Sequence, residues 1–367
     1  MKTIDKALDH FQLKYPMDRL CAPREALFLD IETTGFTARS SSLYLIGCAY
    51  YEQGTWHTRQ WFAENPGEQA AILEEFFAFS RDRRFLIHFN GSQFDIPYLS
   101  QKCQQLGLSH DFSAHEGADV YRRLFHYKAF LGLLNLKQKT IESFLGLQRE
   151  DRFSGGELIT FYLEYVKSQN QETLSVLLLH NEDDLKGMLR IMPMLSYFDA
   201  FHSPLNVKKV QANHYRDVND NHRTELLIHA ALPLAVPKPV TASRAGLYAK
   251  LEGEELTLRI PVCEEELKYF YANYKDYYYL PKEDLALHKS VASFVDKDFR
   301  EQATARNCYT RKKSLYLPQW DLTFTPFFKR DYDSPEIFFE LTDAIKSDRE
   351  AFAKYASIVL NQIADQT

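Results

Sequence analysis

Apolar and polar positions are grouped in short blocks through the first hundred residues. Ala26-Leu27-Phe28-Leu29 is an unbroken apolar run that turns acidic at Asp30-Ile31-Glu32 and then meets Thr33-Thr34-Gly35. Such a run, closed by a turn signal, predicts a buried strand over 26–32. Its two carboxylates share one face because they are two residues apart. Further strands are predicted at 43–51, 55–62 and 85–89, with helices at 67–80 and 96–107. Asn90-Gly91 is the turn before the second helix, and Pro97 falls in that helix's first turn, where a missing N–H costs little. Leu177, Leu178, Leu185, Met188 and Leu189 recur at helical spacing in a helix predicted over 172–195, behind Gln171-Glu172-Thr173. Other helices are expected at 119–131, 136–146 and 155–168. Residues 1–25 read as a helix and an arm broken by Pro16 and Pro23.

The pattern changes after about residue 200. Pro204 and the polar stretch from Asn213 to Arg223 read as a connection, punctuated further by Pro233, Pro237 and Pro239. Alternation then predicts strands at 247–251 and 256–260, and a terminal helix is expected from about Ile337 to Ile363. The chain is therefore expected to comprise an N-terminal arm (1–25), an α/β domain (26–200) and an α+β accessory domain (201–367). A tyrosine-dense stretch from Tyr269 to Tyr279 has two readings: half-buried sheet packing, or a platform on which bases stack beside Lys268 and Lys275.

Composition narrows the class. At 367 residues, 45% hydrophobic and 26% charged, the chain is an ordinary globular one with room for two domains. No apolar run approaches a membrane span, and the charged N-terminus has no signal-peptide core, so no membrane partner is expected. Five scattered cysteines form no Cys-x-x-Cys pair, which excludes a zinc knuckle and points to a reduced, cytoplasmic protein. A net charge of −6 supplies no overall footprint for nucleic acid, so basic contacts would have to be local. Arg122-Arg123 and Arg311-Lys312-Lys313 are the candidates.

The chemistry lies in three segments: Asp30-Ile31-Glu32, Phe94-Asp95, and His180 with Asp184 one helical turn later. Taken singly, each has a plain reading as a solvated strand end, a helix-dipole acid or a surface His–Asp pair. Asp183 could also face His180. Together they offer four carboxylates and an imidazole, and hard oxygen donors of this kind suit Mg²⁺ or Mn²⁺ rather than zinc. Two such cations can clamp both oxygens of a phosphodiester displacement, the chemistry of a nuclease.

The segments Asp30-Ile31-Glu32, Asn90-x-x-x-Phe94-Asp95 and His180-x-x-x-Asp184 resemble the three motifs of the DEDD 3′→5′ exonucleases, which have a ribonuclease-H-like fold. The wording from Asn90 to Leu99 is similar to the proofreading domains of family B DNA polymerases, and closer still to the YprB-like bacterial proteins. Asp119–Leu124, Leu136–Gly146 and Phe153–Glu157 resemble the helical insert of that subgroup. The resemblance covers about Leu27 to Leu195. It implies a mixed sheet of ribonuclease-H-like type flanked by helices, and 3′→5′ cleavage of single-stranded DNA or RNA with two divalent cations. It also implies roles: Asp30 shared by both metals, Glu32 and Asp184 on the metal that binds the attacking water, and Asp95 on the second. His180 would orient that water or take its proton. Thr33, Gly35, Asn90 and Phe94 would form the pocket for the terminal nucleotide. One spacing departs from pattern, because His180 stands four residues before Asp184. That is the interval of the tyrosine type, whereas the histidine type uses five. A catalytically weak nucleic-acid-binding module and a scaffold acting through its C-terminal domain are the competing readings.

Overall fold

The protein is described by a computed structural model covering residues 1–149, 153 and 155–365. Ser154, part of the insert motif, lies outside the described residues. The chain divides into two compact units, Met1–Phe198 with Val236–Lys238, and Asp199–Ala235 with Pro239 onward.

The first unit is built on one six-stranded mixed sheet. Its strands are β1 (Lys2–Ala7), β2 (Ala26–Thr33), β3 (Leu43–Glu52), β4 (Thr55–Phe62), β5 (Phe85–His88) and β6 (Glu116–Asp119), in the spatial order β1-β4-β3-β2-β5-β6. Strands β1 to β4 pair antiparallel, whereas β2, β5 and β6 run parallel. The strand that carries Asp30 and Glu32 is therefore central. Helices α1 (Gln69–Ser80), α2 (Asp95–Leu106), α3 (Val120–Phe125), α4 (Gln138–Leu145), α5 (Gly155–Ser168), α6 (Gln171–Ile191) and α7 (Leu195–His202) complete the element order of this part of the chain.

Strand alternation decides which side the carboxylates take. Leu27, Leu29 and Ile31 of β2 pack with Ile46, Cys48 and Trp61 against Leu73 and Phe76 of α1 and Leu99 and Cys103 of α2. Leu45 and Phe62 face the other way, toward Tyr162 of α5 and Leu174 and Leu177 of α6. Asp30 and Glu32, out of phase with the β2 leucines, emerge on the α6 side. α6 starts cleanly because the Asn170 side chain accepts the Glu172 and Thr173 N–H groups at 2.7 and 3.4 Å. It then packs across β2, β3 and β4.

The second unit carries three smaller sheets. Its elements are β7 (Asn206–Arg216), β8 (His222–Arg244), β9 (Leu247–Pro261), β10 (Cys263–Phe270), β11 (Tyr277–Leu280), β12 (Leu285–His288), α8 (Lys289–Ala292), β13 (Glu301–Gln302), β14 (Tyr309–Gln319), β15 (Phe327–Phe328), β16 (Ile337–Glu340), α9 (Asp343–Lys346) and α10 (Arg349–Ala364). The sheets run β7-β8-β9, β10-β14-β16-β15 and β12-β11-β13.

Several expectations are corrected. The N-terminal segment forms no α-helix: residues 2–7 are β1, which completes the sheet by pairing with β4. The polar connection at 213–223 is largely a hairpin of β7 and β8 around Asp217–Asn221, because Asp217 accepts the Asn219 and Asn221 N–H groups. Pro233, Pro237 and Pro239 lie within β8, past Ala231 where pairing with β7 ends, so no β7 ladder bond is lost to them. Residues 247–261 form one strand rather than two, and Ile337–Glu340 is β16, with the terminal helix starting at Arg349.

Candidate active site

Asp30 and Glu32 stand at the end of β2, and a register shift between Glu32 and Thr33 ends the regular ladder there. Such a bulge kinks the strand and re-aims the side chains beside it. Beyond it, Thr33 Oγ1 donates to the Gly35 carbonyl at 2.8 Å, and Thr34 Oγ1 accepts the Ser42 N–H at 2.8 Å. These bonds close a tight loop beside the carboxylates.

Asp95 opens α2 and is 7% exposed. The Ile31 N–H of the central strand donates to its Oδ1 at 3.2 Å, which ties the second segment to the first. The loop that delivers Asp95 is organised by Asp119, whose carboxylate accepts the Asn90, Ser92 and Arg122 N–H groups at 2.9, 3.2 and 3.2 Å. Asn90 adopts a positive φ of 62° in that loop, and its buried Oδ1 has no hydrogen-bond partner among the described residues. Phe94 lies edge-on to Phe36, with ring centroids 6.2 Å apart; Phe36 itself is 93% exposed.

From α6, the His180 Nε2 lies 3.3 Å from Asp184 Oδ2 and 3.6 Å from Glu32 Oε1. One donor atom each from Glu32, His180 and Asp184 falls within 4.8 Å of the other two, close enough to share a metal ion. Asp184, rather than Asp183, belongs to this group. The Tyr44 hydroxyl donates to Glu32 Oε2 at 3.5 Å, its ring stacked on Tyr162. Arg149 donates to Asp184 Oδ1 at 2.6 Å and forks onto Glu142 of α4. Gln138 of α4 donates to the Asp184 carbonyl at 2.9 Å. Gly187 allows this approach, since a Cβ there would lie 2.1 Å from the Glu142 carboxylate.

The Asp30 carboxyl is held well above the usual carboxylate range, first by burial and then by the negative charges of Asp184, Glu32 and Asp95. Asp95 is pushed up to about 7, chiefly by burial, with Asp119 and Asp184 adding to it and the backbone N–H groups of Asp95 and Ile31 opposing. A divalent cation relieves such an arrangement directly, and the donor set of carboxylates with one imidazole fits Mn²⁺ or Mg²⁺.

Tyr44, Asp119, Arg149, Asn181 and Phe36 were not legible as site residues from spacing. Asp119 carried a signal as the first residue of the insert resemblance, and Phe36 as an aromatic directly after Gly35. In the second unit the contacts of the tyrosines fit the reading of half-buried sheet packing. Tyr271 stacks on Tyr277 at 4.5 Å, and the Tyr279 and Tyr309 hydroxyls both donate to Asp284, so these tyrosines are engaged in packing. Lys268 is paired with Asp331, Arg311 with Glu266 and Lys312 with Glu340.

The six-stranded mixed sheet flanked by helices is a ribonuclease-H-like fold. Residues 27–196 match the family model of the RNase_H superfamily. The uncharacterized protein YprB of Bacillus subtilis is 25% identical over 169 residues, 45% of this chain and 40% of that relative's length. The family B DNA polymerase of the archaeon Pyrobaculum calidifontis superposes over 70% of this chain and 36% of its own, at 11% identity and a TM-score of 0.38. Exonuclease I of E. coli bound to single-stranded DNA does so over 57% and 55%, at 12% identity and a TM-score of 0.30. Among the described residues no helix is long and apolar enough to cross a membrane.

Proposed function

We propose that this chain is a metal-dependent 3′→5′ exonuclease that hydrolyses phosphodiester bonds of single-stranded DNA or RNA. The observation that carries the reading is the cluster itself: Glu32, His180 and Asp184 each bring a donor atom within 4.8 Å of the others, and the charges of Asp184, Glu32 and Asp95 bear on the buried Asp30 at the end of a central strand. Like charges gathered this way cost folding stability and serve no packing purpose, which is the signature of a site that exists for a ligand of opposite charge. Two divalent cations, Mg²⁺ or Mn²⁺, would supply that charge, activate the attacking water and neutralise the phosphate.

In this reading Asp30 serves both cation positions. Glu32 and Asp184 hold the one next to His180, and Asp95 holds the other. His180 orients the attacking water or accepts its proton, and its Nε2 faces both Glu32 and Asp184. Thr33, Gly35, Asn90 and Phe94 border the terminal nucleotide, with the exposed Phe36 ring available to stack on a base. A second reading, a binding module with little turnover, is favoured by the Arg149 guanidinium on Asp184 Oδ1, which occupies an oxygen that a cation could use.

The test is to incubate 5′-end-labelled single-stranded DNA and RNA in parallel with the protein and Mn²⁺. A ladder shortening from the 3′ end, abolished by chelator, is expected. Binding without shortening selects the second reading, and immediate release of the label as a mononucleotide overturns the 3′→5′ direction.

A further inference from the structure

Asp30 lies in register with Gly47 of β3, which lies in register with Gln60 of β4. Paired residues point to the same face of a sheet, so these three lie abreast beneath α6. Gly47 leaves a gap in that row. A Cβ there would come within 1.9 Å of the Asn181 Oδ1, and the Asn181 side chain, 0% exposed, fills the space.

The hydrogen bonds through this gap have a fixed direction. Gln60 Nε2 donates to the Leu178 carbonyl at 2.9 Å, and a carbonyl can only accept. The same Nε2 donates to Asn181 Oδ1 at 2.9 Å. The Asn181 amide is thereby oriented with its Nδ2 toward Asp30, donating to Oδ2 at 2.8 Å. A backbone carbonyl thus dictates, through two buried amides, that Asp30 meets a donor rather than an acceptor.

We propose that Asn181 is a positioning residue that holds Asp30 in one rotamer, leaving its other oxygen available to a divalent cation. The proposal rests on the reading of the carboxylates as metal ligands. A neutral amide suits the task better than a cation would. Lysine or arginine at this depth would form an ion pair with Asp30 and compete with the metal, whereas an amide orients the carboxylate without cancelling its charge. The location also explains why the helical turn that brings His180 to Glu32 continues into Asn181 rather than into another apolar residue.

The experiment is calorimetric titration of Mn²⁺ into the full chain, its Asn181→Leu variant and its Gln60→Met variant, with circular dichroism on each. Removing an outer partner of a metal ligand typically costs 10- to 100-fold in affinity, and about that loss is expected for folded Asn181→Leu. Gln60→Met keeps the volume but frees the Asn181 amide to turn over, so a several-fold weakening is expected there. A role confined to packing would lower the melting temperature and leave the affinity of the folded protein unchanged. Affinity within twofold of wild type in folded Asn181→Leu overturns the proposal; if that variant does not fold, the same result in Gln60→Met does. Wild-type protein that takes up no Mn²⁺ overturns the metal reading and the relay with it. Binding by wild type and variants alike overturns the relay alone.

Discussion

The candidate site in the first unit and the ion pairs of the second treat their charges in opposite ways. In the first, burial and mutual repulsion hold the Asp30 and Asp95 carboxyls up, so the proton is retained where an ordinary carboxylate would lose it. In the second, the Arg330 guanidinium holds Glu265 below the usual range, and the Tyr279 and Tyr309 hydroxyls do the same for Asp284. The first arrangement is unfavourable by itself, and in the proposed reading a divalent cation would complete it. The second is closed. This difference, rather than the number of acidic residues in either unit, is why the proposed cation site is sought in the first.

Asp30→Asn tests the contrast most severely. It removes the most crowded charge at nearly constant shape, so Mn²⁺ uptake and any metal-dependent cleavage should fall to background. Apo stability should hold or rise in a urea titration, and survival of cleavage would remove Asp30 from the site. The same repulsion has a pH signature. Between the unfolded carboxylate value of about 4 and the folded Asp95 value of about 7, the native state carries more protons than the unfolded one. Stability of the apo protein should therefore decrease as pH rises through that window. Saturating Mn²⁺ should oppose the decrease by binding the ionised form. Apo stability that increases with pH in this range would contradict the assignment of the cluster.

His180→Ala is expected to lower turnover by about 10²–10⁴, the range for a positioned acid–base group. His180→Tyr is the sharper variant, because it restores the side chain that the four-residue spacing resembles. Appreciable cleavage by His180→Tyr would define a tyrosine-type site with a substituted base. Wild-type turnover in His180→Ala would leave the water to the cations.

The smallest effect should come from the second unit. Arg330 is partly exposed and bonded to Glu265 and Glu336. Arg330→Ala should cost about 1 kcal/mol or less in unfolding free energy, as exposed ion pairs do. Mn²⁺ affinity should not change. A loss of metal affinity in this variant would erase the distinction between the two units.

Local sequence determined a large part of this molecule. The apolar run before Asp30, the turn at Asn90-Gly91 and the leucine spacing around His180 specify a strand, a helix start and a helix, because backbone periodicity is a property of neighbours in the chain. The phase of β2 also determined that Asp30 and Glu32 share a face. Elements whose pairing is remote were misread: residues 2–7 become a strand only because β4 offers an edge, and Ile337–Glu340 because β14 does. Asn181, Gln60 and Gly47 have nothing in common along the chain and meet only when three strands and α6 are stacked. Arg149 reaches Asp184 for the same kind of reason, through α4. Spacing reveals which side chains leave one element on one side, whereas hydrogen-bond direction and the crowding of charge depend on what stands opposite, and that only the tertiary structure decides.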